Sequence, residues 1–180
     1  MEVPLAALPD TAGVRVHPAE PALPPAAAEQ LLTALRKLMA QLAREGRIRR
    51  WAVEVAEAGR FLLIAWEDGP GEGMSGCSKD KLAKVVALHE ARSGCVLTSA
   101  PPLWVEIGGA VSGLMPAAFK ELVRSHAITA DTPAWDCTAE SLGGWRAGAR
   151  AALATLPALE RLRQRAAPAP GDGKDPLRVG

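Results

Sequence analysis

The stretch GMSGCSKDK, residues 73 to 81, gathers a thiol, two hydroxyls and two lysines around glycines, where an apolar run ends and a helical pattern begins. A glycine-rich turn at a helix start can hold an anion, because free backbone N–H groups and the positive end of the helix dipole point outward there. With a helix starting at Ser78, the residues Ser75, Gly76, Cys77, Ser78 and Lys79 form a candidate anion- or ligand-binding loop. No catalytic residue is assigned, and Cys77 is the sole candidate: a thiol at a helix start beside Lys79 and Lys81 occupies the kind of place that activates a nucleophile. The plain alternative is a turn that reverses the chain from strand to helix, with Ser75 and Ser78 as caps and Cys77 as a small packing residue.

Gly73, Ser75, Gly76, Cys77 and Lys79 match a loop similar to GPSGCGKST, which ABC-type ATPases carry between a strand and a helix. Two replacements break the pattern. Ser78 stands where a glycine lets the backbone wrap phosphates, and Asp80 stands where a serine or threonine hydroxyl binds magnesium. The frame from Gly71 to Ser78 puts Cys77 at the lysine position, and no second nucleotide motif follows. Over roughly residues 3 to 150 the chain resembles short uncharacterised bacterial proteins commonly labelled "ABC transporter ATPase", most specifically at Ser75 to Lys81. That group also lacks a complete phosphate loop. The resemblance therefore implies a shared fold and a degenerate loop, and it supplies no catalytic residues.

Trp104, Trp135 and Trp145, with a helix between the first two, resemble the spacing of small bacterial GYF-like domains. That resemblance implies recognition of proline-rich peptides on an aromatic surface. No tyrosine follows Gly113 and His126 replaces a usual glycine, and three buried tryptophans filling a small core give the same pattern, which is the preferred reading. His89 and His126 fall on apolar helix stripes, the place of core-edge histidines, and His17 before Pro18 reads as exposed. No His, Cys or carboxylate spacing converges as a metal site requires. Glu67, Asp68 and Glu72 form an acidic cluster that a solvated strand end explains. The arginines 146, 150, 161, 163 and 165 against Glu160 read as a charged helix face in water, with RNA as the rival partner.

These groups must be positioned by elements that the hydrophobic pattern sets out. Val14 to His17 alternates as a strand. From Pro25 to Glu45, Leu31, Leu32, Leu35, Leu38, Met39 and Leu42 make one helical stripe that Gly46 can close. Two β-rich runs within residues 51 to 68 predict a hairpin turning at Glu57 to Gly59, and the second run is apolar on both faces, as in a central strand. A helix with Leu82, Val85, Val86 and His89 on one face follows the loop, and Leu103 to Ile107 is the next strand. Beyond Gly109, AVSGL predicts a hairpin strand, Pro116 opens a helix, TPAWDCT is a short strand, and a last helix spans about Trp145 to Arg165 with a kink near Pro157.

The order strand, helix, strand, strand, helix, strand is the split βαβ plan of ferredoxin-like folds, with an antiparallel sheet and both helices on one face. The expectation is thus an α+β protein: a ferredoxin-like core over residues 1–107, a small C-terminal α/β lobe over 108–165, and a disordered tail over 166–180. A net charge of +1 gives no global pull toward nucleic acid, and three widely spaced cysteines suit neither a disulfide framework nor a zinc knuckle. The longest apolar run, Phe61 to Trp66, is far short of the roughly 20 residues of a membrane span. With no leader pattern at the N-terminus, the expected setting is cytoplasmic with reduced thiols. The functional expectation is a non-catalytic binding or adaptor protein with a protein or peptide partner, no cofactor, no membrane and a homodimer through a sheet face or edge as an option. A cysteine-dependent enzyme or redox protein using Cys77 is the rival, and a nucleotide-binding protein with a degenerate loop is the third reading.

Overall fold

The computed structural model describes residues 1–71 and 73–167. Strand β1 (Gly13–Pro18) leads into α1 (Pro25–Arg44), whose Pro25 occupies the first helical turn, where a missing N–H costs nothing. Leu31, Leu35, Met39 and Leu42 of the expected stripe are fully buried, and Gly46 at φ 73° turns the chain out of the helix. Strands β2 (Ile48–Ala56) and β3 (Phe61–Asp68) form the hairpin, with Ala58 in a left-handed conformation at its turn. Helix α2 (Gly76–Ser93) follows, closed by Gly94 at φ 71°.

The first sheet has the order β1-β3-β2 and is antiparallel throughout. Strand β3 lies between β1 and β2, and every residue from Phe61 to Trp66 is buried. Because strand side chains alternate, Leu62, Ile64 and Trp66 meet α1 and α2, while Phe61, Leu63 and Ala65 face the opposite way. Both helices lie on one face of this sheet, as expected.

The next strand, β4 (Leu103–Ile107), does not complete that sheet. After α2 the chain meets the β1 side at two isolated antiparallel bridges among the described residues, Glu20 with Val96 and Gly13 with Ser141, and not as a strand. Strand β4 instead enters a second sheet of order β5-β4-β6-β7, with β5 (Ala110–Leu114), β6 (Pro133–Trp135) and β7 (Ala151–Ala152). The reason is that both hydrogen-bonding edges of β4 are occupied. Gly108 and Gly109, at φ 59° and 81°, make the tight turn that returns β5 along one edge, and β6 pairs along the other.

Helices α3 (Pro116–Arg124) and α5 (Pro157–Ala166) cover the outer face of the second sheet around Phe119, Val123, Leu153 and Leu159. The inner faces of the two sheets pack together, giving four layers: helices, sheet, sheet, helices. The protein is thus a mixed α+β fold with an antiparallel sheet flanked by helices and a C-terminal α/β lobe. The single kinked helix expected over Trp145 to Arg165 is replaced by α4 (Leu142–Gly148), β7 and α5. Arg150 at φ 53° reverses the chain after α4, and Pro157 starts α5 rather than kinking a longer helix. Ala166, the first residue of the expected tail, still belongs to α5 and is buried. The rest of the expected tail from residue 168 onward lies outside the described residues, as does Glu72 of the acidic cluster.

Candidate functional site

The loop from β3 to α2 is shaped by contacts within the protein. Asp68 Oδ1 accepts the Met74 N–H at 2.9 Å. Gly73, at φ 69°, comes so near that a Cβ there would stand 2.8 Å from Asp68 Oδ1, and a Cβ on Gly69 would stand 2.0 Å from the Gly46 carbonyl oxygen. These glycines serve close packing. Helix α2 starts at Gly76, so the cap is Ser75 and not Ser78: Ser75 Oγ accepts the Ser78 N–H at 3.4 Å and lies 3.1 Å from Ser78 Oγ. Ser78 is buried, while Cys77 and Lys79 are exposed in the first turn.

Lys79 meets a residue that lies far off in sequence. A cavity of about 240 Å³ is lined by Arg15, Lys79, Asp68 and Glu140 among others, and a neighbouring one of about 260 Å³ is lined by Arg15, His17, Lys79 and Asp80. Arg15 and Lys79 belong to both. Neither side chain has an ion pair or hydrogen bond among the described residues, whereas the strand-end carboxylate Glu67 is engaged by Arg49 and Arg50. Cys77 is not among the residues lining either cavity. His17, expected to be exposed, is half-buried on the same side of β1 as Arg15. Burial pushes its imidazole below the ordinary value, against a backbone hydrogen bond at Leu97, with Arg15 adding to the lowering.

These cavities follow the outer edge of β1. Alternate residues of an antiparallel strand present N–H and C=O to the same side. Val14 N–H donates outward to Glu140 O at 3.1 Å, and Glu20 and Val96 exchange bonds of 3.0 and 2.8 Å. Val16, two residues from Val14 and four from Glu20, therefore faces the same way. Among the described residues no strand pairs with this edge between those two points.

Trp104, Trp135 and Trp145 are brought together, but in the interior. Their ring centroids lie 5.4, 5.6 and 5.5 Å from that of Phe61, a residue that the tryptophan spacing did not single out. His89 Nδ1 lies 2.9 Å from the Val85 carbonyl oxygen, the local bond expected of a core-edge histidine. His126 is not on a helical stripe: α3 ends at Arg124, and His126 is exposed at φ 61°. Of the terminal arginines, Arg146 pairs with Asp10, Arg150 with Glu106 and Arg163 with Glu160, so the basic run does not form one continuous free face. Among the described residues no group of three or more His, Cys, Asp or Glu could hold a metal ion, and no helix is long and apolar enough to cross a membrane.

The three thiols differ sharply in access. Cys77 is exposed, Cys95 is buried, and Cys137 is half-buried with its thiol pushed up to about 12 by burial and by the Asp136 carboxylate. Native protein treated with an aromatic disulfide reagent at neutral pH is therefore expected to lose one thiol quickly and the other two only on unfolding. Peptide mapping that finds Cys95 or Cys137 modified as fast as Cys77 would refute this ordering.

Comparison with protein-family models, curated proteins and solved structures finds no match for this chain.

Proposed function

We propose that the protein is a non-catalytic binding protein that takes an extended, acidic peptide segment as an added strand along the outer edge of β1. The observation that carries this reading is the open edge at Val16, flanked by two unpaired cations, Arg15 and Lys79. Main-chain bonds to such an edge provide affinity without sequence preference, and flanking side chains provide selectivity. In this reading the first sheet is a ferredoxin-like split βαβ unit whose fourth-strand position is left to the partner. The N-terminus of α2, with Lys79 in its first turn, adds positive potential on the same side. A second copy of the chain fits less well, because antiparallel pairing of two β1 edges brings Arg15 and Lys79 of each copy toward those of the other. The likeness to the group labelled "ABC transporter ATPase" is read as a shared strand-to-helix loop without hydrolysis, and the setting as cytoplasmic. Cys77 has no part in binding.

The test is fluorescence anisotropy of a short labelled peptide of alternating Glu and Val at low salt. Saturable binding is expected, weakened about 10-fold by Arg15→Glu or Lys79→Glu, which corresponds to ~1.4 kcal/mol each. Val16→Pro removes the outward N–H at a position where an edge strand tolerates proline, and it should abolish binding while Cys77→Ser leaves it unchanged. A flat isotherm, equal affinity for a Lys/Val peptide, or concentration-dependent self-association in place of binding rejects the proposal.

A further inference from the structure

The cavity of about 240 Å³ lies where the open edge of β1 stops. Val96 closes the edge at Glu20, and at the other end the Gly13–Ser141 bridge and the bond from Val14 N–H to Glu140 O close it. A strand added at Val16 therefore cannot run on past Val14. Gly13, Val14, Arg15 and Glu140 all line this cavity, so a segment laid antiparallel to β1 brings its C-terminal end there.

The lining holds a donor that the protein leaves unspent. Trp66 lines the cavity and is 5% exposed; its Nε1–H has no hydrogen-bond partner among the described residues and, unlike those of Trp51 and Trp135, is not sealed from the surface. That opening depends on Gly13. The two residues stand opposite each other in the β1–β3 register, and a Cβ on Gly13 would lie 2.8 Å from Trp66 Cε2 and 3.1 Å from Nε1. The φ of Gly13 lies outside the left-handed region, so the glycine is there for space over the indole edge and not for backbone freedom. Arg15 and Lys79 line the same cavity with unpaired side chains. Of its two carboxylates, Asp68 holds the loop through the Met74 N–H, and Glu140 is exposed.

We infer that this cavity takes the C-terminal carboxylate of the docked segment, an inference that rests on the reading of β1 as a docking edge. A carboxylate oxygen accepts from Trp66 Nε1–H, and Arg15 and Lys79 balance the charge. Capture of a chain terminus is a recurring mode of peptide recognition. A segment that continues beyond the site has to turn away at Val14, where Glu140 occupies the edge, and it brings no terminal carboxylate to the indole. The Glu140 side chain opposes the bound charge, so its neutralisation should strengthen binding.

The probes are two N-terminally labelled peptides of alternating Glu and Val that end in Val, one a free acid and one a carboxamide with an extra Glu at its N-terminus to equalise net charge. Anisotropy with the full chain at low salt is expected to show the free acid binding about 10-fold more tightly. Tryptophan indole N–H signals followed by ¹H–¹⁵N NMR should show Trp66 moving saturably with the free acid and staying still with the amide. The Trp66 signal is identified by its loss in Trp66→Phe or, should that variant not fold, by its contact with the Gly13 Hα protons. Glu140→Gln should strengthen the free acid about 3-fold relative to the amide. Equal affinity of the two peptides, a Trp66 signal unmoved by the free acid, or weaker free-acid binding in Glu140→Gln overturns the inference and leaves the docking edge standing. Absence of binding by both peptides rejects the edge and the inference together.

Discussion

Phe61→Ala is expected to remove about 3–5 kcal/mol of folding stability, among the largest single-residue losses this fold can show. The ring is fully buried and stands between the two sheets, with the rings of Trp104 and Trp145 edge-on at 5.4 and 5.5 Å and Trp135 tilted at 5.6 Å. Each such pair adds ~0.5–1.5 kcal/mol beyond the area it buries. Truncation therefore removes three ring contacts at once and leaves a void whose walls belong to different sheets. Collapse to fill it would require the β3 backbone to move toward β4, and β3 is held on both sides by β1 and β2. Phe61→Leu, which keeps most of the volume, should lose far less. Urea denaturation followed by tryptophan fluorescence measures both. A loss below about 1 kcal/mol for the alanine variant would mean that the lobe does not depend on this contact.

The place of Phe61 shows where the sequence stops being legible. The run Phe61 to Trp66 is apolar without alternation, which marks a central strand and hides which residues face which layer. The α1 stripe and the β2-β3 hairpin were readable because helical period and turn residues are local signals. The partner of Leu103 to Ile107 was not. Its pattern identifies a strand, but the choice of sheet depends on Trp104 packing against Phe61 and on a glycine turn that returns β5 to its edge. The candidate site was half legible. Lys79 stood out in its loop, while Arg15, between two valines in an alternating strand, gave only the signal of an outward charge. That it meets Lys79 follows from the strand order, which puts β1 at the edge beside α2. The cap was misplaced by one turn, since Ser75 and Ser78 are each competent and only the backbone decides between them. His126 was read as a helical position because Phe119, Leu122 and Val123 set a period that the helix itself abandons at Arg124.

Gly69→Ala and Gly76→Ala are expected to move stability in opposite directions, and the contrast bears on what the loop is for. A Cβ on Gly69 would lie 2.0 Å from the Gly46 carbonyl oxygen, a backbone atom in the turn after α1 that cannot swing aside. Relief requires separating two chain reversals that also share the 2.8 Å bond from Gly69 N–H to Arg47 O. A loss of about 3 kcal/mol is therefore expected, the upper end of ordinary overpacking. Gly76 has no atom within 4 Å of a built Cβ and opens α2. Alanine there should be neutral or stabilise by ~0.5 kcal/mol, since it loses less chain entropy on folding. A phosphate-wrapping loop makes a different demand: the nucleotide pattern keeps Gly76 free of a side chain so that a phosphate can approach, which acts on binding and not on stability, and Gly69 lies outside that pattern. Thermal and urea unfolding of the two variants test the packing demand. A Gly76→Ala variant destabilised by more than about 1 kcal/mol, or a Gly69→Ala variant as stable as the parent, would show that packing against Gly46 and Asp68 is not what keeps this loop rich in glycine.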